Sequence, residues 1–429
     1  MKIVYLTAGA AGMFCGSCMH DNALARAMRE LGADCVLQPL YTPIRTDGES
    51  IASKRLFFGG IHIYLLQTFS LFRWVPSPIR RLLDQRRFLD WATRRASSTD
   101  AAVLGDLSIS MLRGEHGAQR DEVQRMVTWL RDDMKPDAII FSNLLIGGVI
   151  PRIREELPSS KIIVVLQGDD IFIDHLPPSQ RAAVISELSK LDKYCDNFVV
   201  NTDFYGKKMA AILGLDVARI CVLPLSIDTA PFIAQTNPPR GDSENVAIGF
   251  LARIAPEKGF HHLVSAFIEL ARRPGCEHVT LRAAGWLGVQ HLAYKETQEQ
   301  RISQAGLADR YEYIGSPDLA GKIAFLQSID VLSVPTDYEE PKGLFILEAM
   351  AAGVPVVQPA IGAFPELIEM TGGGLLIKGS PKDATLLADG LETLIKDPAL
   401  RKALGTAARD AVLRNHTTEI QAKRMLELL

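Results

Sequence analysis

The sequence predicts an α/β protein made of two doubly wound, Rossmann-like domains in tandem. Short continuous apolar runs rich in Val, Ile and Leu alternate with helical patterns along most of the 429 residues. Such runs suit parallel strands covered by helices on both faces. The alternation stops at the polar segment "QTNPPRGDSEN" (235–245), which reads as a linker, and then restarts. The length is enough for two domains with separate cores.

The elements follow in order. "KIVYL" (2–6) reads as a core strand, and after it Leu24, Ala27, Met28 and Leu31 recur at helical spacing. "DCVLQ" (34–38), "AIIF" (138–141), "IIVVL" (162–166), "NFVV" (197–200) and "ICVL" (220–223) complete a first domain over 1–234. Residues 43–133 show no clear alternation and read as an irregular insertion. Beyond the linker, "VAIGFL" (246–251), "VTLRAA" (279–284), "YEYIG" (311–315), "VLSVP" (331–335), "VPVVQ" (354–358) and "GLLI" (374–377) supply a second domain over 246–405. From about Asp383 the pattern is helical, and 406–429 is expected to be a C-terminal helix that crosses back to the first domain. In doubly wound sheets, ligands bind beyond the carboxyl ends of the strands. Two such sheets facing each other are expected to enclose an interdomain cleft, a common place for a ligand.

Composition narrows the function. Hydrophobic residues make up 47% and charged residues 23% of the chain, as in ordinary soluble globular proteins. The formal charge of −3 speaks against a nucleic-acid partner. No apolar run approaches a membrane span, and Met1 leads into a core strand without a leader pattern. Six cysteines in a chain of this size point to a reducing compartment rather than a disulfide scaffold. The expected location is cytoplasmic.

Two segments carry candidate chemistry. In "TDYEEPKGLFILEAMAAGVPVVQP" (336–359), Glu348 sits inside an apolar helical run. A carboxylate there is costly unless a backbone donor, an arginine or a ligand's hydroxyls pair with it. Glu340 lies eight positions earlier, in the loop that opens the helix. Gly343 keeps the backbone bare near the helix start, where N–H groups and the dipole favour anions. In "GFLARIAPEKGFHHLVSAFIEL" (249–270), a strand ends in a loop with Arg253 and Lys258, and Phe260, Leu263, Val264, Phe267 and Leu270 form one side of the following helix. An arginine fork and a lysine point charge at such a place make a phosphate-binding arrangement.

Together these segments resemble the C-terminal domain of the retaining glycosyltransferases of family 4 (glycosyl transferases group 1), which have the GT-B architecture. The resemblance rests on "RIAPEKG", on the glutamate pair with seven residues between, and on "EAMAAGVPVV". "GAFPELI" (362–368) is similar to the family's Gly-Gly-x-Pro-Glu segment, and "IGSPDLAGKIAFLQSIDVLSVPT" (314–336) resembles its approach to the glutamate motif. The resemblance implies a transferase whose co-substrate is a nucleotide-diphosphate sugar. It implies that Arg253 and Lys258 hold the diphosphate, Glu340 contacts the donor sugar, and Glu348 accepts from the ribose diol. Backbone N–H groups around Gly343 and Leu344 would help bind phosphate or sugar. It also implies no cofactor and no metal for donor binding, and no convincing paired-aspartate motif replaces these cations. Retention is expected through attack on the leaving-group face, with the departing phosphate oxygen taking the acceptor's proton. On this reading the catalytic set is Arg253, Lys258 and Glu340.

The N-terminal half departs from the family. Its Gly-rich loop after the first strand appears here as "TAGAAGMFCGSC", longer and with cysteines. Gly12 and Gly16 are expected to approach the donor, with Asp21 or Asn22 capping the next helix. A redox pair of Cys15 and Cys18, and a zinc site from Cys15, Cys18 and His20, are the weaker alternatives. Many relatives place a histidine after the strand equivalent to "IIVVL"; here Gln167 follows, and Gln167, Asp169 and Asp170 are the candidates for the acceptor side. Leu225 and Ser226 stand where the family often has Asn-Gly. The stretch 71–95 holds seven arginines against two aspartates, interleaved with aromatics. It reads as a lid over the acceptor or, second, as a basic surface for peripheral contact with anionic lipid at the inner membrane face. The acceptor class stays open among a lipid, a polysaccharide, a small molecule and a protein. The competing functions are a sugar-nucleotide epimerase and a catalytically silent nucleotide-sugar-binding or thiol-regulated protein of the same fold.

Overall fold

The apolar runs of the sequence pair as parallel strands in two six-stranded sheets. A computed structural model of the chain describes residues 1–9, 15–46, 48–53, 55–58, 101–234 and 246–429. Gly12, the expected linker 235–245 and the arginine-rich stretch 71–95 lie outside the described residues.

The first sheet contains β1 (Lys2–Thr7), β2 (Asp34–Pro39), β3 (Ala138–Phe141), β4 (Lys161–Val165), β5 (Asn197–Val200) and β6 (Ile220–Val222), in the order β2-β1-β3-β4-β5-β6. Ile3 to Leu6 pair with Ala138 to Phe141, and all eight are fully buried. The described helices of this part are α1 (Gly16–Glu30), α2 (Ala101–Leu112), α3 (Arg120–Thr128), α4 (Ile150–Glu156), α5 (Asp169–Asp174), α6 (Pro178–Ser189) and α7 (Asp203–Leu213). Two apolar clusters form the core, one holding Val4, Leu6 and Phe141, the other Ile3, Tyr5 and Ile140. They follow the alternation of side chains across the sheet.

After α8 (Ala230–Ala234), the second sheet contains β7 (Ala247–Leu251), β8 (Thr280–Ala284), β9 (Tyr311–Tyr313), β10 (Val331–Leu332), β11 (Val356–Pro359) and β12 (Gly374–Ile377). Their order is β12-β11-β10-β7-β8-β9, the six-stranded Rossmann order read from the far edge. Ile248 and Gly249 of β7 pair with Val331 and Leu332 of β10, so the order reverses between these two strands. Around it lie α9 (Phe260–Leu270), α10 (Leu292–Gln304), α11 (Leu319–Gln327), α12 (Leu344–Ala351), α13 (Phe364–Thr371), α14 (Ala384–Lys396), α15 (Pro398–Asn415) and α16 (Thr418–Leu428).

The chain divides into two compact units, Met1–Pro224 with Gln421–Leu429, and Leu225–Ile420. The first boundary falls before the expected 1–234, because Leu225, Ile227 and Phe232 are buried in the second unit's core. Nor is 406–429 one helix. His416 leaves the helical path because its Nδ1 pairs with the Leu225 carbonyl at 2.8 Å and Thr417 bridges to Ile227. Past that break, Ala422 and Met425 of α16 are buried with Ile3, Tyr5 and Leu24 of the first unit.

Candidate active site

β7 and β10 flank the topological switch point of the second sheet, and the loops after their carboxyl ends carry the predicted charges. β7 is fully apolar and buried, and the chain leaves it through Ala252 and Arg253. A tight turn over Pro256–Lys258 then delivers Gly259, whose φ of 73° is left-handed. A Cβ at Gly259 would sit 1.7 Å from the Pro335 carbonyl oxygen, so only glycine lets the start of α9 approach the segment leaving β10. The Asp337 N–H donates to the Glu257 carbonyl at 3.0 Å and ties the two loops together.

That closure joins residues far apart in the chain. Lys258 Nζ donates to Glu340 Oε2 at 2.7 Å and to the Tyr338 hydroxyl oxygen, while the Tyr338 hydroxyl donates to Glu340 Oε2 at 2.6 Å. The ammonium also lies 5.0 Å from the Tyr338 ring and 5.9 Å from the Phe345 ring. Burial alone pushes the Glu340 carboxyl up. The charge and hydrogen bond of Lys258, the Tyr338 hydroxyl and the nearby Lys342 outweigh it, and the carboxyl is held below the usual range. The backbone of Glu340 is fixed from behind: the Ala363 N–H donates to its carbonyl at 2.8 Å, and a Cβ at Gly362 would meet Glu340 backbone atoms at 2.6 Å. "GAFPELI" therefore serves as a backstop for Glu340. Arg253 pairs with Glu257 at 3.1 Å, both part exposed.

Gly343 caps α12 in the left-handed region at φ 76°, with no side-chain cap, and Leu344 is the first helical residue. Helix starts of this kind present N–H groups and the positive dipole end to an anion. Glu348 is buried on α12, and Lys322 Nζ of α11 lies 2.5 Å from its Oε1. The partner required by a carboxylate on an apolar helix is thus, in the protein itself, a lysine 26 positions earlier.

The first unit corrects several expectations. Gly16 opens α1, and Cys15, not Asp21 or Asn22, occupies its cap position. Asp21 is fully buried and accepts from the Tyr5 hydroxyl (2.9 Å), Thr7 Oγ1 (3.0 Å) and Gln167 Nε2 (3.0 Å). Asn22 bonds Glu49 and Ile51 backbone groups instead. Gln167 also donates to the Ser142 carbonyl at 2.7 Å. Asp169 accepts from the N–H groups of Leu144 (2.7 Å) and Gln167 (3.1 Å), and burial pushes its carboxyl up to about 6 against those bonds. Asp170 accepts from the Tyr205 hydroxyl at 2.7 Å and pairs with Lys208 at 2.8 Å. All three acceptor-side candidates are buried and brace the turn after β4.

Cys18 is buried, and its hydrogen bond with Cys15, together with burial, pushes its thiol well above the ordinary range. This is the reverse of the shift that activates redox cysteines at helix starts. His20 Nε2 pairs with Gln421 Oε1 at 2.7 Å. Among the described residues, the group spaced to hold a metal ion is a different one: His261, His262 and Asp337, with ligand atoms within 4.8 Å of one another. There His262 Nε2 lies 2.7 Å from Asp337 Oδ1, and His261 Nδ1 lies 2.9 Å from the Tyr294 hydroxyl. Burial, His262, Arg301 and Lys382 outweigh Asp337 and hold the His261 pKa down.

The residues missed in the sequence are Tyr338, Lys342, Lys322 and the His262–Asp337 pair. Lys322 alone left a signal, as a lysine among Ile323, Phe325 and Leu326 of an apolar helix.

Residues 235–411 match the family described as Glycosyl transferases group 1. Glycogen synthase of Mycobacterium tuberculosis is 30% identical over 224 residues, covering 52% of this chain and 50% of that protein. A D-inositol 3-phosphate glycosyltransferase of Kribbella flavida is 26% identical over 382 residues, covering 82% of this chain and 85% of that protein. The chain spans about half the length of the first curated relatives it matches. Sucrose-phosphate synthase from Thermosynechococcus elongatus superposes with a TM-score of 0.68 at 18% identity, over 100% of this chain and 98% of that one. Anabaena HepE in complex with UDP gives 0.68 at 17% identity, over 100% and 99%. These likenesses establish the fold as GT-B, with its two Rossmann-like sheets.

Proposed function

We propose that this chain, whose residues 235–411 match the family described as Glycosyl transferases group 1, moves a sugar from a nucleotide-diphosphate sugar to an acceptor, with retention at the anomeric carbon and without a metal ion. The observation that carries the reading is the Lys258–Tyr338–Glu340 cluster, with Arg253 on the same loop, at the switch point of a Rossmann-ordered sheet. Doubly wound sheets bind their ligands there. In this reading Arg253 and Lys258 hold the diphosphate, and the N-terminus of α12 at Gly343 and Leu344 adds N–H groups to it. Glu340 takes hydroxyls of the donor sugar and Glu348 those of the ribose.

The chemistry follows from charge. Breaking the anomeric bond leaves negative charge on the diphosphate and oxocarbenium character on the sugar. Cations fixed where that charge develops lower the barrier. Lys258 is bonded to Glu340 in this structure, so an arriving diphosphate competes for the ammonium and turns the carboxylate toward the sugar. The leaving phosphate oxygen then takes the acceptor's proton, and no separate protein base is needed. Structural neighbours described as bound to UDP and to UDP-glucose support a uridine nucleotide as the first donor to try. The names of the relatives support a glycan or an inositol phosphate as first acceptors. A cytoplasmic location is supported by six cysteines among which no disulfide forms. No described helix is long and apolar enough to cross a membrane.

The test is thermal and chemical stabilisation by UDP, GDP, ADP and CMP, on wild type and Lys258→Ala. A nucleotide at one hundred times its dissociation constant adds about 2.7 kcal/mol. Stabilisation by one nucleotide, lost in the variant, followed by EDTA-insensitive turnover of its sugar with retained configuration, is the expected outcome. Binding without turnover of any donor would favour the silent binding protein.

A further inference from the structure

We infer that His261, His262 and Asp337 form a binding site for one divalent transition-metal ion of the zinc class, and that the ion staples the start of α9 to the loop after β10. The site is separate from the donor reading above, in which no metal ion takes part.

The fold brings the three residues together and fixes their backbones. His261 and His262 lie in the first turn of α9, just past Gly259, and the His262 N–H donates to the Gly259 carbonyl at 2.9 Å. Asp337 stands 75 positions beyond His262, and its own N–H is tied to the Glu257 carbonyl at 3.0 Å. His262 is buried, His261 half-buried and Asp337 exposed, so an ion can enter from solvent.

A structural hydrogen bond explains only part of this arrangement. His262 Nε2 lies 2.7 Å from Asp337 Oδ1, the length of a hydrogen bond. His261 Nε2 lies 3.8 Å from Asp337 Oδ2, too far for one. The two imidazoles nevertheless pack together with ring centroids 3.8 Å apart, and the three ligand atoms all fall within 4.8 Å of one another. Zinc bonds of ~2.0–2.2 Å to nitrogen and oxygen, at tetrahedral angles, put ligand atoms about 3.3–3.6 Å apart. The observed 2.7 and 3.8 Å lie on either side of that spacing. Small side-chain rotations close the difference.

The surroundings also suit a metal. Tyr294 of α10 holds His261 from behind: its hydroxyl oxygen accepts from the His261 N–H at 3.1 Å and lies 2.9 Å from Nδ1. With an Nδ1–H donated to that oxygen, Nε2 presents a bare lone pair to a carboxylate oxygen. Two acceptors so placed favour a cation between them. Metal-bound histidines are oriented in this way, through the ring nitrogen that does not touch the metal. Arg301, also beside His261, donates to the His261 carbonyl, Gln298 Oε1 and Ser265 Oγ, and leaves the Asp337 carboxylate to the histidines. Two imidazoles and one carboxylate match zinc, cobalt and nickel rather than magnesium or calcium, which take oxygen ligands. On binding, the metal replaces the proton between His262 Nε2 and Asp337 Oδ1, that proton passes to the other ring nitrogen, and water completes the coordination.

The experiment strips the full chain of metal with a chelator, removes the chelator, and titrates Zn²⁺ and Co²⁺ into wild type, Asp337→Asn, His261→Gln, Tyr294→Phe and Cys15→Ser. Wild type is expected to bind a single Zn²⁺ per chain, to gain thermal stability from it, and to ignore Mg²⁺ and Ca²⁺. Asp337→Asn and His261→Gln should each weaken Zn²⁺ binding by more than about tenfold, and Tyr294→Phe by roughly tenfold. Cys15→Ser should leave it unchanged. Bound Co²⁺ should give visible bands without the near-ultraviolet charge-transfer band of a thiolate ligand. If one variant fails to fold, the other and the cobalt spectrum decide. Equal Zn²⁺ binding by wild type, Asp337→Asn and His261→Gln, or no saturable binding by wild type, overturns the inference. Loss of binding in Cys15→Ser, with a thiolate band in the wild-type cobalt spectrum, puts the metal on the cysteine pair and overturns it as well. Nucleotide stabilisation measured in the presence of chelator tests the donor reading alone, so the two can fail separately.

Discussion

Glu340 is buried yet held below the ordinary carboxylate range, and Lys258 is the main reason. Lys258→Met would strand that charge and should destabilise the protein by about 3–5 kcal/mol in urea unfolding. Lys258→Met combined with Glu340→Gln should recover most of the loss; equal losses in both variants would mean that lysine packing, not charge, is what matters. Asp169 has the opposite sign. Burial pushes it up to about 6, whereas an unfolded aspartate titrates near ~3.9. Between these values the native chain keeps a proton that the unfolded chain has lost. The Asp169 contribution to stability therefore falls as pH rises from about 4 to 6 and is constant above that. The stability difference between wild type and Asp169→Asn should shrink by roughly 3 kcal/mol across this window, and a pH-independent difference would refute the shift. Arg253, Lys258, Glu340 and Glu348 were legible in the sequence because charged residues after a buried strand or inside an apolar helix need a reason. Tyr338 was not, because its partner Lys258 lies 80 positions away; Lys322 left the same kind of signal as Glu348, but their pairing across 26 positions did not.

At the scale of elements, the site depends on two loops being pressed together, and Gly259 is where they meet. Gly259→Ala puts a Cβ into the Pro335 carbonyl on top of a left-handed φ. It should cost more than about 2 kcal/mol, since the left-handed conformation alone costs roughly 1–2, and it should weaken nucleotide binding. Gly306 is the control: its φ of 75° is also left-handed, but a Cβ there meets nothing within 4 Å. Gly306→Ala should show only the backbone cost in urea unfolding and leave nucleotide affinity unchanged. Equal effects at both positions would remove the Pro335 contact from the explanation. The strands around these loops were legible because an all-apolar run covered on both faces has few other solutions. The start of α1 was not, since Cys15 caps it with backbone alone and Asp21 serves the core instead.

On the scale of the whole molecule, the chain's last segment belongs to the unit that its first segment founded. Ala422 and Met425 are fully buried beside Ile3, Tyr5 and Leu24. Ending the chain after Ile420 removes both, and a fully buried Met is worth about 1.5–3 kcal/mol. Hydrogen exchange should then speed up in peptides from Met1–Pro224 and stay unchanged in peptides from Leu225–Ile420. Uniform loss of protection would mean that the two units unfold as one.

The sequence by itself determined the two sets of parallel strands and the charged residues after the carboxyl ends of β7 and β10. These follow from local information: apolar runs, spacing, and the cost of charge in apolar surroundings. Tertiary structure alone decided which partner each charge took. It gave Lys258 and Tyr338 to Glu340, Lys322 to Glu348, and internal partners to Gln167, Asp169 and Asp170. It also decided that the chain breaks at His416 to return to its first unit. Pairing of this kind depends on which loops meet in space, and a polar residue looks the same in sequence whether its partner is a ligand or the protein itself.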